Sequence, residues 1–510
     1  MLLLIGISAN ATHNRAGEIT FRQIGDLTFE VTCTTYTKTS SVPADRDSLE
    51  FVWGDGTSQF VGRSNGNGLP LANDIKFNIY VAIHTYPGRA EFTIRMTDPN
   101  RNAGILNVNP PNSDQVPFHL ETVLTILNPN FQGYNNSPVL LQPPIDVAYQ
   151  NQIYIHTPNA FDADGDSIAY ELIVPLQAAG TPVTNYNYPH AVPFVPHSFN
   201  EITGEYIWIT PQLCGEYNLA ILIKEYRAGR LISSIIRDMQ ITVECLNNRP
   251  PVIANLQDVC VIAGNTLAFN VSADDPDNGQ KVNLTATGGP FVIANPAQLV
   301  GPNGYQFPIV TKQFVWQTTC DHIRRQPYQV VFKAQDDFQD STGAVDLYVV
   351  QITVIAPPPE DVQATALSGK VTVTWENPYL CDNLGRFEGF SVWRREGSNP
   401  FPIDTCETGL AGKGYTKIVD DWTTIDPNGS GRYYYLDEDV ESARFYCYRI
   451  LAKFGDLNTA GFPANFVESL PSDEVCVQLS RDLPLITNVS VNTTDNSTGG
   501  NGNSMVKTVG

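Results

Sequence analysis

Proline-bearing punctuation divides this chain at the spacing of one small β-domain. Asn135-Asn136-Ser137-Pro138 and Asn247-Asn248-Arg249-Pro250-Pro251 recur 112 residues apart, and Ala356-Pro357-Pro358-Pro359 follows after about another 107. A β-sandwich takes about 100 residues, and stiff proline linkers favour a string of such units. At 510 residues the chain is too long for a single core. Between the prolines lie strand-length runs such as Thr20-Phe21-Arg22-Gln23-Ile24, Leu219 to Lys224 and Tyr328 to Lys333, and no long amphipathic helix. The reading is an all-β chain, a tandem array of about four β-sandwich domains.

Charge and the chain ends narrow the partners. Acidic residues outnumber basic ones 53 to 31, a formal charge of −22. Such a surface repels nucleic acid and anionic lipid and suits a chain bathed in divalent cations, or simply keeps it soluble. Residues 1–11, an apolar run ending Ala9-Asn10-Ala11, read as the remnant of a signal peptide or, alternatively, as a first strand. No other segment approaches the ~18 apolar residues of a membrane span. Nine cysteines occur without a CxxC or Cys/His cluster, which argues for disulfides in an oxidising compartment rather than for zinc.

The second and third units are diverged copies of each other. Asp162-Ala163-Asp164-Gly165-Asp166, Gly204-Glu205-Tyr206-Ile207-Trp208, Cys214 and Lys224-Glu225 recur in order as Asp275-Pro276-Asp277, Phe314-Val315-Trp316, Cys320 and Gln335-Asp336-Asp337. The acidic loops are the strongest chemical signal. Calcium takes about six to eight hard oxygens, and aspartates at alternate loop positions converge on one ion. Asp162, Asp164 and Asp166 offer that in the second unit, with Glu225 returning from a later strand. Asp275 and Asp277 match Asp162 and Asp164, and Asp336 or Asp337 matches Glu225. The alternative is ordinary solvated turns, which Asp and Gly favour for backbone reasons.

Motifs add a resemblance. Phe51-Val52-Trp53-Gly54-Asp55-Gly56 with His84-Thr85-Tyr86-Pro87-Gly88 resembles the polycystic kidney disease (PKD) domain, an immunoglobulin-like sandwich in which Asp55 is a turn residue. The Asp-x-Asp-Gly-Asp loop and Gly-x-x-x-Trp strand resemble bacterial cadherin-like domains. Val371-Thr372-Val373-Thr374-Trp375, Gly389 to Arg394 and Tyr446-Cys447-Tyr448 resemble fibronectin type III, with Trp375 in the core and Tyr446 at a tyrosine corner. The implied divisions are 12–132 PKD-like, 133–247 and 248–357 cadherin-like, 358–482 fibronectin type III-like, and 483–510 a tail or the start of a further module. The module order resembles the secreted surface proteins of Bacteroidota labelled gliding-motility-associated, substrates of type IX secretion. Such proteins end in a sorting module; residues 485–510 read instead as one strand and an Asn/Gly/Ser/Thr-rich tail, so the chain is either a fragment or held by a partner.

The resemblance implies an extracellular structural or adhesive rod or filament, with other surface proteins, copies of itself, or surface glycans as partners and calcium as a structural cofactor. A polysaccharide-binding or enzyme-accessory sandwich is the alternative. Four bridges are expected, Cys214–Cys245, Cys260–Cys320, Cys381–Cys406 and Cys447–Cys476, with Cys33 free. Modules two to four are expected to lie end to end. Asp47-Ser48-Leu49, Asp166-Ser167-Ile168 and Asp340-Ser341-Thr342 resemble Bacteroidota O-glycosylation sites at Ser48, Ser167 and Ser341. Enzymatic readings fare poorly. The seven histidines are scattered, no HExxH, GxSxG or P-loop pattern occurs, and the Glu438-Asp439 pair sits alone.

Overall fold

Alternating and continuously apolar runs become strands wherever a second surface covers them, and here they become almost nothing else. The structure, a computed structural model, describes residues 14–42, 45–338, 343–383, 385–457 and 463–480. The expected signal-peptide remnant at 1–11, the tail at 483–510 and Ser341 lie outside these. The fold is all-β, with one four-residue α-helix, Pro129–Gln132, among the described residues.

The first two modules are not separate sandwiches on a linker. They share one fourteen-stranded sheet, through the strand Arg230–Glu244. One edge of this strand pairs antiparallel with Gly215–Arg227 along its whole length. The other edge is taken in succession: Ser233 to Ile235 pair with Leu124 to Thr122, Asp238 with Gly17, and Gln240 to Glu244 run parallel to Ile145–Tyr149. Backbone groups on a buried strand must all find partners, so the two modules are joined by sheet hydrogen bonds across the 132/133 division. Gly17 marks the crossing. A Cβ there would lie 2.7 Å from the Thr34 carbonyl oxygen and 3.1 Å from Leu120 Cδ1.

Buried charges lock the same seam. Arg237 of the shared strand, fully buried, donates to Glu18 of the first strand through Nε (2.7 Å) and Nη2 (2.9 Å). Asp238 accepts from Arg101 at 3.1 and 2.6 Å, and both are buried. Asn218 adds a further donor to Asp238 and exchanges hydrogen bonds with Asn107 across the seam. On either side the apolar cores stay distinct. One is built on Trp53, Phe51 and Tyr86, the other on Trp208, Tyr206 and Tyr217.

The third module stacks two four-stranded sheets, Val252–Ile253, Thr266–Asp274, Val310–Gln317 and Gln298–Val300 against Val259–Ile262, Val345–Ile355, Tyr328–Asp336 and Val282–Gly288. The fourth stacks a three-stranded sheet on a five-stranded one, with Trp375 wholly buried. Tyr446 Oη accepts from the Glu441 N–H (3.1 Å), the backbone contact of a tyrosine corner. One apolar cluster runs unbroken through both modules, from Ile253 past Ala356 to Leu479.

Two disulfide expectations are corrected. Cys214–Cys245 and Cys447–Cys476 are bridged and Cys33 is free and buried, but Cys260 pairs with Cys406 and Cys320 with Cys381. Cys260 lies on the sheet containing Val345–Ile355, whereas Cys320 follows Val310–Gln317 on the opposite sheet. The two therefore serve as separate staples onto the fourth module. The end-to-end arrangement is corrected too. The fourth module also touches the second, with Asn465 Nδ2 at 3.4 Å from Asp166 Oδ1.

Non-reducing peptide mapping is expected to recover Cys260–Cys406 and Cys320–Cys381; intramodular Cys260–Cys320 would contradict the stapled joint. Replacing Arg101 by Ala leaves Asp238 buried without its cation, and urea unfolding is expected to show a loss of about 3–5 kcal/mol. A loss under about 1 kcal/mol would mean that the pair is not desolvated.

Candidate ion site at the module joints

The acidic loop of the second module sits between two secondary elements that the shared sheet brings together. Asp162 to Asp166 lead into the strand Ser167–Ile173, which pairs with Gly215–Arg227 so that Ile168 lies opposite Glu225. Alternation then puts Glu225 and Arg227 on one face beside the loop. Asp162, Asp166 and Glu225 are buried, and Asp164 is about a quarter exposed, at 23%. One carboxylate oxygen from each of Asp162, Asp164 and Asp166 lies within 4.8 Å of the others. The group could hold an ion.

Each acid has a different environment. Asp166 is paired with Arg227, whose Nε donates at 2.8 Å and whose Nη2 donates to the second oxygen. Asp164 accepts from the Asn136 backbone N–H (2.7 Å) and side chain (3.0 Å). Glu225 accepts through Oε2 from Asn135 Nδ2 (3.0 Å) and from the Ser233 hydroxyl. Asp162 Oδ1 accepts from the Asp166 N–H (2.8 Å). Among the described residues no donor reaches Asp162 Oδ2 or Glu225 Oε1, although both are buried.

Two buried carboxyls within reach of each other need a proton or a cation between them. Burial, reinforced by the charges of Asp166 and Asp164, pushes Asp162 up to about 7. Burial and the Asp162 charge push Glu225 well above the usual carboxylate range. With Asp166 taken by Arg227 and both Asp164 oxygens by Asn136, the buried oxygens that no donor reaches are Asp162 Oδ2 and Glu225 Oε1.

The third module repeats the arrangement. Asp277 accepts from the Arg249 backbone N–H (2.8 Å), as Asp164 does from Asn136. Asp336 Oδ2 accepts from Asn248 Nδ2 (2.9 Å), as Glu225 does from Asn135. Asp336, not Asp337, is the counterpart of Glu225; Asp337 instead accepts from the Lys281 N–H (2.8 Å). Asp275 Oδ2 is buried without a donor, and burial pushes Asp336 up to about 6. Here Arg249 itself supplies the cation, its Nε 2.8 Å from Asp277 Oδ1.

The clamp residues Asn136, Asn248, Arg249 and Arg227 were missed by reading the loops alone. Aligning Pro138 with Pro251 pairs Asn135 with Asn248 and Asn136 with Arg249, and that signal was present in the punctuation. Other expected sites are placed as follows. Asp55 is spent on its own turn, accepting from Thr57 N (2.9 Å) and Oγ1 (2.6 Å), with His84 Nε2 at 2.8 Å. His84 stacks on Trp53 at 4.4 Å, and Tyr86 Oη donates to the Trp53 carbonyl (3.2 Å). Gly54, at φ +86°, lets this turn pass where a Cβ would lie 2.6 Å from the Thr93 oxygen. Ser167 is exposed and Ser48 half-buried beside Asp47. Cys447 and Cys476 approach Glu474, but as a disulfide they offer no thiolate to a metal.

The sequence matches no protein-family model and no curated protein. Among solved structures it aligns with the sialic-acid-binding region of the Streptococcus sanguinis SK1 adhesin bound to 3'sLn, at 10% identity and TM-score 0.16, over 48% of this chain and 94% of that one. It also aligns with the human desmocollin-1 ectodomain, at 10% identity and TM-score 0.18, over 96% of each chain. At these scores neither superposition carries an argument about function.

A pH dependence follows for the chain without a bound cation. Asp162 and Glu225 hold their protons more tightly folded than unfolded, so their contribution is fully present below the unfolded pKa of about 4; the Asp162 part is lost as pH rises through about 7, and the Glu225 part as pH rises through its own raised value. In chelator, the unfolding free energy from urea titration is expected to fall between pH 5 and pH 8, by on the order of 2–4 kcal/mol. Asp162→Asn should flatten that slope; an equally steep slope in the variant would contradict the assignment.

Proposed function

We propose that this chain is an extracellular structural or adhesive component of a bacterial cell surface, built to hold modules in fixed orientation. The observation that carries the reading is the clamp repeated at two successive joints. In each, a linker asparagine binds a buried acid on the returning strand, and the next residue's N–H binds the acidic loop. A hinge would leave such linker groups to water. Four disulfides fit the oxidising exterior, and two of them staple the third module to the fourth. No helix of the described residues is long and apolar enough to cross a membrane.

Within this reading the modules divide near 132, 247 and 357, the first two forming one rigid unit. Calcium is the structural cofactor: Asp162, Asp164 and Glu225 supply hard oxygens at the first joint, and Asp275 and Asp336 at the second. Association with gliding motility and type IX export is the finer form of the proposal, resting on module order.

Thermal unfolding in calcium against chelator tests the cofactor. At about a hundredfold above its dissociation constant, calcium is expected to add roughly 2.7 kcal/mol. That corresponds to about 5–10 °C for a unit of some 230 residues. Asp162→Asn should abolish the difference, and an unmoved transition in the wild type would remove calcium from the account. Immunogold labelling of intact cells tests location. Label at the outer surface is expected; label confined to the cytoplasm would overturn the reading.

A further inference from the structure

Two histidines close one loop of the second module. The chain leaves the core at His190, turns through residues 191–196, and returns at His197, the first residue of the strand His197–Phe199. The two imidazoles lie face to face, with ring centroids 3.3 Å apart and planes within 7° of parallel. Tyr188 is parallel to His190 as well, at 5.5 Å. His190 is buried, with Nδ1 3.2 Å from Tyr206 Oη, whereas His197 is exposed. Besides the stack, the loop is held by Val195 in the core, by Tyr217 Oη donating to the Val192 carbonyl (3.2 Å), and by the Ile209 N–H donating to the Pro196 carbonyl (3.0 Å). Ala191, Pro193 and Phe194 are exposed.

Neutral imidazoles can stack in this way, but two imidazolium rings at the same distance repel. Nothing close by answers that charge. Among the described residues His84, His119 and His156 have carboxylate partners, and His190 and His197 have none. The titratable groups facing the pair are the hydroxyls of Tyr188, Tyr206 and Tyr217, and burial raises all three, so they stay neutral in acid. Behind Tyr188 stands Glu171, already paired with Lys224 at 2.7 Å. His156, opposite Tyr206 on the strand Tyr154–His156, is paired with Asp146. Burial, reinforced by the His197 ring, pushes His190 down to about 4. Its contribution to the closed loop is therefore present above the unfolded value of about 6.5 and is lost as pH falls from there to about 4.

We propose that the stack of His190 on His197 is an acid-released latch: when both rings carry a proton they separate, and loop 191–196 leaves the body of the second module. Release uncovers Val195 beside the exposed Phe194, so an apolar patch opens only in acid. No residue of the latch belongs to the candidate ion site.

The test is hydrogen–deuterium exchange with mass spectrometry on the full chain at about pH 7.5 and about pH 5, corrected for the intrinsic exchange rate. Peptides covering residues 186–199 are expected to exchange about tenfold faster or more at the lower pH. The readout is local, so the acid pair Asp162 and Glu225, whose contribution runs in the opposite direction, does not enter it. His190→Phe, which keeps a ring in the stack but takes no proton, should remove the acceleration. Equal protection at the two pH values, or undiminished acceleration in that variant, would overturn the proposal. Should His190→Phe fail to fold, NMR titration of the histidine-labelled wild type decides: a His190 midpoint below about 5 is expected, and one near the ordinary value of about 6.5 would overturn the latch.

Discussion

The strand Arg230–Glu244 must satisfy backbone groups on both of its edges, and the rest of the first 250 residues is arranged around that demand. No single neighbour is long enough, so three segments share its second edge. Two of them come from the first module. The consequence reaches the acidic loop. Because Gly215–Arg227 is the hairpin partner of this strand, its far end carries Glu225 and Arg227 to the place where the linker from the first module enters. The candidate ion site therefore exists only where the two modules are joined.

Charge buried at such joints is poor cement but good instruction. Pairing Arg237 with Glu18 and Arg101 with Asp238 recovers little beyond the desolvation cost, whereas breaking either pair strands a charge. Each pair therefore specifies which strand may lie beside which. The acidic loops extend the same logic with an incomplete answer. Arg227 answers Asp166 and Arg249 answers Asp277, but Asp162 with Glu225, and Asp275 near Asp336, remain acids facing acids. A proton answers them at low pH, and the grouping could take a cation at neutral pH.

Local signals in the sequence carried most of what each module contains. Trp53, Trp208, Trp316 and Trp375 all fall in cores, and the repeat aligns Asp162 and Asp164 with positions whose contacts are equivalent in the structure. What could not be read is what passes between modules. Alternation says which face of Asn14–Gln23 is buried, not that its edge meets a strand more than 200 residues away. Equivalent positions of Cys214 and Cys320 suggested bridges within a module. Cys320 instead faces outward, because its neighbouring module brings Cys381 to it.

The claim that the joint closes on a cation is tested most directly by titrating calcium into the chelator-stripped full chain by calorimetry. The account predicts saturable binding in the wild type and loss of the first-joint site in a variant carrying Asp162→Asn and Glu225→Gln. Absence of saturable heat, or binding unchanged in that variant, would show that the buried acids are held by protons alone.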